Sequence, residues 1–85
     1  MTKGDYDRAI QDYDQAIKLK PDMESAFNSR GVANQLKGSY DRAVEDFDQA
    51  VKLRPDYGVA IRNRGRTQFY RGKFAEAAAD TTLDA

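Results

Sequence analysis

The stretch Gly38–Asp56 reads GSYDRAVEDFDQAVKLRPD, and the stretch Gly4–Asp22 reads GDYDRAIQDYDQAIKLKPD. They match at 13 of 19 positions, and most of the other six differ conservatively, as at Ile10/Val44, Tyr13/Phe47 and Ile17/Val51. The offset is 34 residues, and it recurs outside these stretches. It links Gly38 to Gly72, Tyr40 to Phe74, Ala43 to Ala77 and Gly31 to Gly65. A fixed period of this length in an 85-residue chain marks an array of repeated structural units.

Each unit reads as two helices. Tyr40, Ala43, Val44, Phe47, Ala50 and Val51 fall at i, i+3, i+4, i+7, i+10 and i+11, which is one stripe of an α-helix. Tyr6, Ala9, Ile10, Tyr13, Ala16 and Ile17 repeat it. Pro21 and Pro55 end these helices, because proline offers no N–H and restricts the residue before it. Asp22 and Asp56 are expected to cap the next helix, which runs to Lys37 or Arg71, with Gly38 or Gly72 making the turn after it. Gly31 and Gly65 fall inside those helices, where glycine costs about 1 kcal/mol relative to alanine. Their recurrence predicts a close helix–helix approach, with the small residues Ala43 and Ala77 on the partner helix.

On these residues the chain resembles the tetratricopeptide repeat family, whose unit is 34 residues of helix–turn–helix. Phe27, Gly31, Tyr40, Ala43, Phe47, Ala50 and Pro55 carry the resemblance in the complete repeat. It implies an all-α fold of antiparallel pairs, A and B, stacked as a short right-handed superhelix. Five helices, or about two and a half units, are expected: a half repeat over 1–21, a complete one over 22–55, and a third over 56–85 whose B helix has Thr81 and Asp84 where Phe47 and Ala50 stand. The A helices also depart from the family, with Arg30 and Arg64 in place of a leucine, and Asn34 and Gln68 in place of an aromatic. An arginine at a packed interface needs a carboxylate. Asp12, Asp46 and Asp80, which share one point of the repeat, are the expected partners.

Chemistry is mostly absent. With no histidine and no cysteine, the commonest catalytic base, metal ligand and thiol nucleophile are missing. Calcium loops opening at Asp5 or Asp12 would put Ile10 and Ala16, or Ile17 and Met23, where glycine and glutamate are required. No enzyme, metal or cofactor is expected. The 14 basic and 14 acidic residues cancel, and no apolar run approaches a membrane span of about 20 residues. The opening Met1-Thr2-Lys3-Gly4-Asp5 has no apolar stretch of signal-peptide type, which points to a cytoplasmic location.

Charge is nonetheless segregated. Five bases and no acid fall between Tyr57 and Ala75, while Ser39–Ala50 holds four acids and one base. The basic helix either balances its acidic neighbours or forms a groove for an acidic peptide. The family's register places the groove on Asn28, Val32, Gln35, Val59, Arg62, Arg66 and Phe69. The expected function is therefore a scaffold that binds a peptide or helix of a partner protein. A self-assembling structural unit is the alternative. It would join as a homo-oligomer through the terminal helices, where the stripe Tyr6, Ile10, Tyr13 and Ile17 lacks a preceding A helix in this chain. A nucleic-acid module using Arg62, Arg66, Arg71, Phe69 and Tyr70 is the less favoured further alternative, because five charges without net positive charge are thin support.

Overall fold

The computed structural model describes the backbone of residues 2–84 and the side chains of residues 2–75. Among the described residues four helices follow one another: α1 (Lys3–Leu19), α2 (Glu24–Lys37), α3 (Tyr40–Leu53) and α4 (Gly58–Asp84). Among the described residues there is no strand. Each helix packs on the next, and α2 also touches α4. Phe27 of α2, Ala50 of α3 and Ala60 of α4 form the buried centre, with Ile17, Val51 and Tyr57 packed around it.

Helix ends follow local chemistry. Thr2 caps α1 by accepting from the Asp5 N–H, while the Asp5 carboxylate accepts from the Thr2 N–H at 3.0 Å, a reciprocal capping box. These bonds hold the Asp5 carboxyl below the usual aspartate value of 3.8, the backbone bond to Thr2 being the largest cause. A lowered folded value stabilises the first turn above the unfolded pKa and loses that stabilisation as pH falls through the folded one. Titrating the Asp5 carboxyl by NMR should therefore give a value below 3.8 that rises only part of the way back in Thr2→Ala, which loses the hydroxyl and keeps the backbone N–H; an Asp5 value that is not lowered in the wild type would show that the box does not form in solution. α2 ends at Gly38, whose φ of 93° is left-handed, with its N–H bonded to the Asn34 and Gln35 carbonyls. The Asp22 and Asp56 caps are not formed: both residues lie in the Pro-Asp turns, and Met23 is the N-cap of α2 with no side-chain bond.

The main correction to the five-helix expectation is at Gly72. No turn forms there, and α4 runs straight through as 27 residues. The residues after the glycine explain the difference. Ser39 follows Gly38 and takes the N-cap position of α3, without a side-chain capping bond, whereas Lys73 follows Gly72. Lysine is a good helix former and a poor cap. Ala75, Ala77, Ala78 and Ala79 then favour continuing the helix. A helix turned back here would also bring Thr81 and Asp84 where α3 brings Phe47 and Ala50, so it would bury less apolar surface.

The glycine expectation holds at one site of two. A Cβ built on Gly31 would lie 2.6 Å from a ring carbon of Phe47, so α2 and α3 do approach closely, against an aromatic ring rather than Ala43. A Cβ on Gly65 would meet nothing within 4 Å among the described residues. Its expected partner side chain, Ala77, lies outside the described residues.

Candidate partner-binding face

Two kinds of contact alternate along the array. In the first, a B helix meets the A helix after it. Arg30 of α2 donates to Asp14 of α1 at 2.8 Å, and Arg64 of α4 donates to Asp48 of α3 at 2.9 Å. Lys37 pairs with Asp7, and Arg71 with Asp41 at 3.1 Å. These are the same two ion pairs displaced by one repeat. In the second kind, an A helix meets the B helix of its own unit. Arg30 also reaches Asp46 of α3, with Nε at 3.1 Å from both carboxylate oxygens and a terminal nitrogen at 2.7 Å from one. Asn34 adds a bond to Asp46 at 3.0 Å. Asp46 is only 5% exposed, and its bond to Arg30 is the chief reason the guanidinium pKa is raised further.

The expected pairing is therefore present at Arg30–Asp46, and neither Arg30 nor Arg64 is free in solvent. Arg64 goes to Asp48 rather than to an aspartate of the Asp12 series, and Asp80 lies outside the described side chains. Asp14 and Asp48 were the partners missed. Their own 34-residue spacing was the signal that could have found them.

Of the seven residues expected to line the groove, Val32 and Gln35 are half-buried on α2. Val59, Arg62, Arg66 and Phe69 are exposed along one stripe of α4. Asn28 differs: it is buried, and its carbonyl accepts from Asn63 of α4 at 3.2 Å, so it ties the two A helices together. The five-base run on α4 divides. Arg64 and Arg71 are committed to Asp48 and Asp41, while Arg62 and Arg66, one turn apart, have no carboxylate partner among the described residues. Further along, Lys73 lies over the Phe69 ring, 5.7 Å from its centroid, and Tyr40 packs against Tyr70 and Phe74. Between α1 and α2, Tyr6, Ala9 and Tyr13 face Val32, Ala33 and Leu36 across a shallow groove of about 150 Å³.

A family model described as TPR repeat matches residues 1–38, and one described as Tetratricopeptide repeat matches residues 25–57. The chain belongs to the tetratricopeptide repeat family. No curated protein and no solved structure matches it. Tetratricopeptide repeats generally mediate protein–protein interaction and are generally non-enzymatic. Among the described residues of this tetratricopeptide protein, no three carboxylates are grouped to hold a metal, and no helix is long and apolar enough to cross a membrane.

Proposed function

We propose that the α2–α4 face receives an acidic peptide or helix of a partner protein. The observation that carries this is the pair Arg62 and Arg66, exposed one turn apart beside Val59 and Phe69. Their neighbours Arg64 and Arg71 already balance the acidic α3, so charge balance within the fold does not account for the remaining two. The chemistry suits a ligand with carboxylates spaced one helical turn apart and an apolar side chain for Phe69 or Val59. Two cations make a poor track for a polyphosphate backbone, so nucleic acid gains no support from this face.

The charge-reversal variant Arg62→Glu with Arg66→Glu is expected to weaken binding of an acidic peptide at least tenfold, about 1.4 kcal/mol, with unchanged helicity. Wild-type binding should fall with added salt, since these charges are exposed. Calorimetry on both proteins reads the result. Equal affinity in the variant, or a partner that contacts only α1 and α3, would overturn the assignment.

A second reading, self-association through terminal helices, is favoured by one observation. α1 buries none of its residues, although it nearly repeats α3, which buries five.

A further inference from the structure

The same sequence point has two different surroundings at the two ends of this array. On α2, Phe27 is 7% exposed; its repeat counterpart on α4, Ile61, is 41% exposed. Asn34 is buried against Asp46, whereas its counterpart Gln68 is exposed. Arg30 holds two carboxylates, and Arg64 holds one among the described residues. Gly31 receives the Phe47 ring, and Gly65 faces open space among the described residues. The other face of α4 is fully engaged, with Ala60 and Thr67 both at 0% like the buried Ala26 and Ala33 of α2. So α4 presents the whole A-helix surface that takes a B helix, and among the described residues that surface is vacant.

The matching surface is on α1. Asp12, Tyr13 and Ala16 are the repeat counterparts of Asp46, Phe47 and Ala50. All three of those α3 residues are buried, while Asp12 is exposed and Tyr13 and Ala16 are half-buried. Among the described residues Asp12 has no ion-pair partner, and Asp14 and Asp7 on the same helix are the ones that hold α2.

We infer that α1 of a second copy of this chain docks on α4 as α3 docks on α2. This deepens the self-association reading and is independent of the groove reading. The register then sets Tyr13 of one copy opposite the Gly65 notch of the other, Asp12 opposite Arg64 and Gln68, and Ala16 opposite Ile61. The charges are complementary, and the carboxylate completes the pair that Arg30 has and Arg64 lacks. The segment of α4 beyond Gly72 is the weaker occupant, because its sequence offers Thr81 and Asp84 where α1 offers Tyr13 and Ala16. The contact joins two different surfaces, so it repeats head to tail.

Two variants test it, one for each surface. Gly65→Leu fills the notch where a Cβ meets nothing within 4 Å among the described residues, so it blocks α4. Asp12→Arg reverses an exposed charge and blocks α1. Light scattering across a wide concentration series should show wild-type mass rising above the 9.6 kDa of one chain. Each variant alone should stay at the mass of one chain, with helicity unchanged by circular dichroism. An equal mixture should form a one-to-one dimer, because the intact α1 of Gly65→Leu meets the intact α4 of Asp12→Arg. Wild type that stays monomeric throughout would overturn self-association altogether. A wild-type oligomer that both variants leave intact, or variants that remain monomeric when mixed, would overturn this docking while leaving self-association standing.

Discussion

Replacing Asp46 by alanine is expected to destabilise the fold by about 2–4 kcal/mol, the range for breaking a buried pair tempered by the partial exposure of Arg30. The carboxylate is almost fully enclosed between α2 and α3, and it accepts from both Arg30 and Asn34. Removing it leaves the Asn34 amide buried without that acceptor, and leaves the guanidinium with Asp14 alone. The comparison that isolates burial is Asp14→Ala. Asp14 binds the same arginine at a similar distance, but its side chain is half exposed, so its loss should cost about 1 kcal/mol or less. Urea unfolding followed by circular dichroism reads both. If the two variants lose the same stability, the enclosure of Asp46 is not what makes its pair matter. The triple change Arg30→Met, Asn34→Leu and Asp46→Leu should recover most of the loss, because no polar group would then be stranded in the interface.

That network also explains two departures that look like faults in the sequence. Arg30 stands where the family has a leucine, and Asn34 where it favours an aromatic. Both reach Asp46, so the three polar residues replace an apolar contact as a set. The Arg30–Asp46 pair was legible, because each recurs at 34 residues and an interface arginine requires an acid, whereas the part played by Asn34 was not. What was missed follows from helix geometry. Residues two apart on a helix point to nearly opposite sides. Asp46 therefore turns to α2 and Asp48 to α4, and one aspartate series serves each side of a B helix. Both series have the same period, so periodicity alone does not say which arginine takes which.

The turn at Gly72 was misread for a related reason. A glycine at the right spacing signals that a left-handed cap is allowed, not that the chain uses it. Gly38 adopts φ 93° with Ser39 after it, and α3 then returns Phe47 and Ala50 to the core. Gly72 has neither the cap residue nor the apolar return, and helix propensity carries the chain on. Of the residues expected to line the groove, Asn28 is buried rather than presented, because its bond to Asn63 is between residues with no shared position in the repeat, which a period cannot reveal.

The two mid-helix glycines should give opposite answers to one substitution. Gly65→Ala is expected to stabilise the monomeric chain by about 0.5–1 kcal/mol, the gain in helix propensity with nothing to obstruct the methyl group. Gly31→Ala carries the same propensity gain and a larger penalty. Its Cβ would sit 2.6, 2.9 and 3.0 Å from three carbons of the Phe47 ring. That ring is itself 0% exposed, so it is not a flexible end able to swing aside. It must tilt, or α2 and α3 must separate, and separating them stretches the Arg30–Asp46 and Asn34–Asp46 bonds as well. Overpacking of this kind costs about 1–3 kcal/mol, so the net effect at Gly31 should be a loss. Pairing Gly31→Ala with Phe47→Leu removes the obstruction at the expense of ring burial, and the two changes should cost less together than the sum of each alone. Unfolding should be measured at low protein concentration, where Gly65 faces solvent. A stabilising Gly31→Ala would show that the α2–α3 approach is looser than the structure has it, and a destabilising Gly65→Ala in the monomer would show that the α4 notch is already filled.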